Sequence, residues 1–245
     1  MLALIIVPCY NEQARWQPEY WREILEDVSI HVLFVDDGSS DGTWDCIEAA
    51  CSHPRARSLR LERNVGKGEA VRLGLLAGLD ERPDVIGYLD ADGAFPSAEV
   101  IRLASEAQGM LLREHPSFDA IWSSRVMLAG RDIHRRASRH YIGRLLTTAI
   151  YPLHGYDIYD TQSGFKLFRA AGPLRSCLTT PFATRWFPDV EILQRWMRTG
   201  GSQLRVWEEP VLGWQDIAGS KVNRKQYVQL LKDLRQVYRG RIRRS

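Results

Sequence analysis

Two aspartates one residue apart, Asp90 and Asp92, close the apolar run Val85-Ile86-Gly87-Tyr88-Leu89, and Gly93 and Pro96 stop it. Carboxylates that near each other repel, so at neutral pH they need a cation, a proton or water. Carboxylate oxygens completed by a substrate's phosphates are the usual way to hold Mg²⁺ or Mn²⁺, which is the chemistry this pair suggests. Alone, Asp90-Ala91-Asp92-Gly93 reads first as a solvated turn; other stretches give it weight. Asn64-Val65-Gly66-Lys67-Gly68 sets glycines around a lysine at a helix start, where backbone donors and the dipole favour a phosphate. Its spacing is not that of a Walker loop. From Arg131 to Arg144 five arginines and two histidines meet one acid, Asp132. The segment predicts a helix basic on one face and apolar on the other, suited to an anionic phosphate. Phe187-Pro188-Asp189-Val190-Glu191 opens a further helix with two acids in its first turn, where the dipole alone would account for them.

These groups need a frame that brings them to one edge. Ala3-Leu4-Ile5-Ile6-Val7 and His31-Val32-Leu33-Phe34-Val35 are continuous apolar runs, and each ends in polar residues. Such runs read as parallel strands buried on both faces. Between them Tyr20, Trp21, Ile24, Leu25 and Val28 recur at helical spacing. Further strands are expected at 58–61, 85–89, 119–125, just after Asp160, and at 206–212. Helices are expected near 43–51, after Gly66, from a Ser97 cap to about Arg113, from Phe187, and over 225–238. In the helix after Gly66, Val71, Leu75 and Leu79 should face the core, and Gly74 and Gly78 should let it approach the sheet closely. The alternation predicts an α/β fold with a mostly parallel central sheet flanked by helices and a ligand at the strands' carboxyl ends.

A chain of 245 residues, 44% hydrophobic and 26% charged, has length for one such domain. No apolar run approaches the ~20 residues of a membrane span, and the chain enters a strand directly. Neither an anchor nor a signal peptide is expected, and the cytoplasm is the expected compartment. Cys9, Cys46, Cys51 and Cys177 lack metal-ligand spacing and read as plain thiols. The net charge of +3 is unevenly spread: from Lys221 to Ser245 nine basic residues meet one acid. The expected division is a domain over 1–222 and a basic amphipathic helix and tail over 223–245. Tyr227, Leu230, Leu231, Leu234 and Tyr238 form that helix's apolar stripe. It suits a peripheral position at the cytoplasmic face of a membrane, or packing on the domain with the arginines solvated.

Six motifs in order resemble the family-2 glycosyltransferases with the GT-A nucleotide-sugar-binding fold. They are Pro8-Cys9-Tyr10-Asn11-Glu12, the stretch from Val35-Asp36-Asp37 to Thr43, Asn64 to Gly68, Asp90-Ala91-Asp92, Asp160-Thr161-Gln162-Ser163-Gly164-Phe165-Lys166, and Gly219-Ser220-Lys221. Each is weak alone; their order over nearly the whole chain is specific. The pattern is most similar to the dolichyl- or polyprenyl-phosphate hexose synthases, and Phe187/Asp189/Glu191 with Trp214…Lys221 leans to the glucosyl-transferring branch. The resemblance implies donor binding by Pro8, Tyr10, Glu12, Asp37, Lys67, Asp90, Ala91, Ser220 and Lys221. It implies Mg²⁺ or Mn²⁺ on Asp90 and Asp92, and an acceptor phosphate on Arg125, Arg136 and Arg139. Asp92, Asp160, Gln162 and Asp189 become the expected catalytic set, orienting sugar or metal. The implied reaction moves a hexose with inversion from a UDP- or GDP-sugar to a lipid phosphate.

Two other readings remain at this stage. The same donor chemistry on a saccharide or other non-lipid acceptor would need a catalytic base, for which Asp189 or Asp160 would serve. A nucleic-acid-binding protein is the distant alternative; the tail carries no recognised nucleic-acid motif and the body is net acidic, so no nucleic-acid partner is expected.

Overall fold

The computed structural model describes residues 1–134, 157–200, 202–217, 232–233 and 235. Its strands are β1 (Ala3–Cys9), β2 (Ile30–Asp36), β3 (Ala56–Arg60), β4 (Val85–Leu89), β5 (Ala120–Ser124), β6 (Asp132–His134), β7 (Phe165–Arg169), β8 (Val206–Pro210) and β9 (Gly213–Gln215). Its α-helices are α1 (Pro18–Glu26), α2 (Thr43–Ala50), α3 (Lys67–Asp80), α4 (Ser97–Leu111), α5 (Leu174–Cys177) and α6 (Pro188–Gly200). Seven strands form one sheet in the order β3-β2-β1-β4-β7-β5-β8. The β1–β2, β1–β4, β2–β3 and β5–β8 pairs are parallel, and β7 runs antiparallel to both of its neighbours.

The apolar runs become strands because both faces of the sheet are covered. Along β1, Ala3, Ile5 and Val7 pack with α1 and α4 residues such as Trp21, Ile24, Val100 and Leu103. Leu4 and Ile6 point the other way, to Val71 and Leu75 of α3 and Leu193 of α6. The period of two thus sorts one run into two cores. Leu79 is only partly buried, packed at the margin of the second core. Gly74 and Gly78 do permit close approach: a Cβ at Gly74 would lie 2.3 Å from Ile6 Cγ2, and one at Gly78 2.8 Å from Leu4 Cδ2.

Gly87 is tighter still. It lies in mid-strand on β4 opposite Leu167, and a Cβ there would sit 2.0 Å from the carbonyl oxygen of Lys166. Gly87→Ala is expected to cost about 3 kcal/mol, the upper end of overpacking, read as a lowered urea midpoint with unchanged slope.

Two local expectations are corrected. The basic helix expected from Arg131 does not begin there. Asp132–His134 is a strand pairing in parallel with Gly213–Gln215, a second short strand just past the stretch expected at 206–212. The Asp132 N–H donates to the Leu212 carbonyl and the Asp216 N–H to that of His134, and only Ile133 turns inward, a two-residue period. Ser97 does not cap α4; it is the first helical residue after Pro96, and its hydroxyl donates to Glu23 on α1. Residues 135–144 and most of 225–238 lie outside the described residues.

Candidate active site

The sheet's order reverses between β1 and β4, and the crevice at the carboxyl end of that junction is where open α/β sheets hold ligands. Asp90 and Asp92 follow β4, Tyr10–Glu12 follow β1, and Asp37 follows β2. Asp90 is fixed by its N–H donating to the Gly164 carbonyl at 2.9 Å. Gly164 is required there, since its Cβ would come within 2.5 Å of the Asp90 carboxylate. Gly93, at φ +69°, turns the chain so that Asp92 accepts the Ala94 N–H at 3.1 Å. Burial, then the charge of Asp90, pushes the Asp92 carboxyl above its ordinary range.

Lys67 Nζ lies 2.6 Å from Asp90 Oδ1. Burial alone would depress this lysine; Asp90 above all, with Asp189 and Asp92, holds it above its usual value instead. A cation at the first position of α3 opposes the helix dipole, so helix stability does not explain it. The carboxylates it faces do.

The turn before Lys67 is not an open phosphate cradle, which corrects that reading. Asp37 Oδ1 accepts the Val65 N–H at 2.6 Å, and Oδ2 accepts the Gly66 N–H and the Asn64 amide, each at 2.9 Å. The Gly68 N–H donates to the Arg185 carbonyl at 2.8 Å. Those donors are committed, and the turn presents Lys67 rather than its backbone. Burial pushes Asp37 up, and the two N–H groups and Arg185 oppose it. Glu12 accepts the Arg15 guanidinium at 2.6 and 2.5 Å, while its own N–H donates to Thr43 Oγ1. Tyr10 stands exposed beside it, Pro8 is half-buried and Ala91 buried.

On the far side of β7 the arginine expected to meet an acceptor phosphate is engaged by a carboxylate. Arg125 grips Asp160 through Nε and Nη2, both at 2.8 Å, and stacks 5.2 Å over the Trp214 ring. Glu208 accepts the Asp160 N–H at 2.8 Å and so sets the loop. Burial works against the charge on Arg125; Asp160, with Asp90 and Asp92, more than restores it. Arg125 thus ties the acidic centre to the second half of the sheet.

Asp189, in the first turn of α6, accepts its neighbour Val190's N–H at 2.8 Å and stands 3.4 Å from the Gln162 amide. Its counter-ion was not assigned from sequence: Lys166, 1% exposed, lies 3.3 Å away and donates to the Ser163 carbonyl. Lys166 sits in mid-strand between its cross-strand neighbours Tyr88 and Trp122, 5.5 and 4.9 Å from their rings. Burial pulls Lys166 down and Asp189 up, and each is the other's main counterweight. A lone lysine inside Phe165-Lys166-Leu167-Phe168 was the available signal, because a strand covered on both faces cannot solvate it.

The two carboxylates after β4 suit a divalent ion. Asp90 Oδ1 is buried against the Lys67 ammonium, and burial, then the charge of Asp90, holds Asp92 toward protonation, so the pair carries more negative charge than one lysine offsets. No group of three or more His, Cys, Asp or Glu side chains able to hold a metal occurs among the described residues. Mg²⁺ and Mn²⁺ sites that complete themselves with water and substrate phosphate need only one or two carboxylates. Arg136, Arg139, Ser220 and Lys221 lie outside the described residues, and no described helix is long and apolar enough to cross a membrane. Arg185 and Asp233, absent from the sequence expectations, both reach the Asp37 turn or the loop behind it.

The chain is 31% identical over 246 residues to a dolichyl-phosphate beta-glucosyltransferase of Trichomonas vaginalis, covering 95% of this chain and 69% of that one. The human dolichyl-phosphate beta-glucosyltransferase is 31% identical over 251 residues, covering 94% and 72%. Glucosyl-3-phosphoglycerate synthase from Mycobacterium tuberculosis, solved with Mn²⁺, UDP and glucosyl-3-phosphoglycerate, superposes with a TM-score of 0.60 at 20% identity. That match covers 95% of this chain and 80% of the other, and shows a shared fold. The model for "Glycosyl transferase family 2" matches residues 4–170, which span β1 to β7 and both β4 aspartates. With that span and those identities, the chain belongs to glycosyltransferase family 2.

Proposed function

We propose that the chain transfers glucose, with inversion, from UDP-glucose to a dolichyl or polyprenyl phosphate. The observation that carries the proposal is the acidic pair Asp90/Asp92 facing Lys67 at the sheet's switch point, in a chain whose relatives are named for this reaction. A nucleoside enters beside Pro8, Tyr10, Glu12 and Asp37, with Ala91, Ser220 and Lys221 completing the donor site. A divalent ion held by Asp90 and Asp92 would neutralise the departing diphosphate. Lys67 adds positive charge to the same leaving group. Asp160, Gln162 and Asp189 orient the sugar, and Arg136 and Arg139 receive the acceptor together with Arg125, whose guanidinium Asp160 holds in place. A phosphate monoester is already largely ionised at neutral pH. Its oxygen forms the new bond to the anomeric carbon as the bond to the diphosphate breaks, and no proton has to be removed. UDP as the donor nucleotide is favoured by the fold neighbours crystallised with UDP and Mn²⁺ or Mg²⁺. Attachment through residues 223–245 at the cytoplasmic face of a membrane is part of the proposal.

A second reading keeps the donor and replaces the lipid with a small phosphorylated acceptor. Fold neighbours solved with phosphoglyceric acid support it. The test is thermal stabilisation by UDP- and GDP-sugars with Mn²⁺, followed by product analysis with polyprenyl phosphate and phosphoglycerate in parallel. UDP-glucose is expected to raise Tm by several degrees where GDP-mannose does not, and the product is a glucosylated lipid phosphate. Transfer to phosphoglycerate alone would establish the second reading, and stabilisation by neither nucleotide sugar would end both.

A further inference from the structure

Asp233 is fully buried, far along the chain from the elements it touches. One of its oxygens, Oδ2, accepts the backbone N–H of Arg185 at 2.9 Å and of Trp186 at 3.1 Å. The loop it fixes has no regular structure of its own, and it runs directly into α6 at Pro188. The Arg185 carbonyl accepts the Gly68 N–H, and its guanidinium donates to Asn64 Oδ1. Its side chain covers Gly66, which sits at φ +102° and whose Cβ would come 3.0 Å from Arg185 Cζ. Asn64, Val65 and Gly66 are the residues that hold both oxygens of Asp37. From the other side Thr184 is pinned by Glu191 of α6, which accepts its N–H and hydroxyl at 2.6 and 2.8 Å. A buried carboxylate is costly unless its oxygens are satisfied, and here the two loop N–H groups satisfy one of them.

We infer that Asp233 and Arg185 are positioning residues of the donor site, which together set the Asp37 turn and the Lys67 that follows it. The inference rests on the reading that a nucleotide sugar binds at that turn. It makes Asp233, remote in the chain from every other donor-site residue described, part of the scaffold of that site.

The experiment uses the full chain with Asp233→Ala, Asp233→Asn and Arg185→Ala. A single oxygen serves both N–H groups, so the asparagine amide oxygen can replace it and alanine cannot. In Asp233→Ala the amides of Val65, Gly66, Gly68, Arg185 and Trp186 are expected to exchange about tenfold faster, and the Kd for UDP with Mn²⁺ to rise about tenfold. The kcat should fall by less than the Kd rises, because Lys67 is loosened but no reacting group is lost. Asp233→Asn should restore both readouts. Arg185→Ala should weaken UDP equally and free the Asn64–Gly66 amides while leaving Trp186 protected, and it carries the test if Asp233→Ala does not fold. Wild-type exchange at residues 64–68 in both alanine variants would overturn the inference. Faster exchange in a chain whose wild type binds neither UDP nor GDP would instead refute the donor reading and leave the mechanical link standing.

Discussion

Asp92→Asn is expected to lower turnover by a factor of about 10³ or more and to abolish the Mn²⁺ dependence of UDP binding. The substitution keeps the size of the side chain and the oxygen that accepts the Ala94 N–H, so the turn at Gly93 should survive. What it removes is the negative charge that competes with Asp90 in a buried site. The sign of the stability effect follows. The folded carboxyl holds its proton more tightly than the unfolded one, so metal-free wild type is stabilised below the ordinary carboxylate pKa of about 4 and loses that stability as pH rises through the raised value. Asparagine has nothing to lose there. In chelator at about pH 7 the variant's Tm should equal or exceed wild type, and the curves should converge at about pH 4. A variant that turns over normally in Mg²⁺ would remove Asp92 from the metal site, and a clearly lowered Tm would make it a structural residue.

Lys166→Met should produce the largest loss of stability among the site substitutions. Removing one member of a buried ion pair costs about 3–5 kcal/mol, because the partner is left uncompensated. The low end is expected here, since Lys67 also acts on Asp189. The Lys166→Met/Asp189→Leu double variant replaces both charges with apolar side chains beside Tyr88 and Trp122, and should recover most of the loss while remaining inactive. Denaturation midpoints of the four chains measure the coupling. Additive losses would mean that the 3.3 Å contact contributes nothing specific. Recovered activity in the double variant would remove Asp189 from the sugar site.

The parts legible in advance were those written in contiguous residues. β1, β2 and β4 announce themselves as apolar runs, and the polar residues just past their ends stand at the switch point because parallel strands bring their carboxyl ends to one side. Asp90, Asp92 and Asp37 stand there for that reason, while Lys67 stood out as the cation of a glycine-flanked turn at a helix start. What was missed depends on partners distant in the chain. The Gly66-Lys67-Gly68 turn looks open until Asp37 and Arg185 are seen to take its N–H groups. Arg125 looks like a free cation until Asp160 meets it from 35 residues away. His134 and Gln215 belong to three-residue strands, too short for periodicity to register, and exist as strands only because they pair. Lys166 was visible as an anomaly, but its meaning lay in a helix that begins 22 residues later.

The antiparallel β7 has a consequence for how the enzyme comes into being. β4 and β5 never touch within the sheet; β7 alone stitches them, pairing Val85 with Arg169 and Ala120 with Phe168. The residues through Leu89 can build β3-β2-β1-β4 from near neighbours along the chain, whereas β7 must close a loop of roughly eighty residues to reach β4. Asp37, Lys67, Asp90 and Asp92 belong to the first half, and Arg125, Asp160 and Asp189 to the second. Neither half holds a site by itself. The strand that zips the sheet shut late in folding is also the one that brings the two sets of charges face to face, so a nascent chain carries no working cleft until its topology is complete.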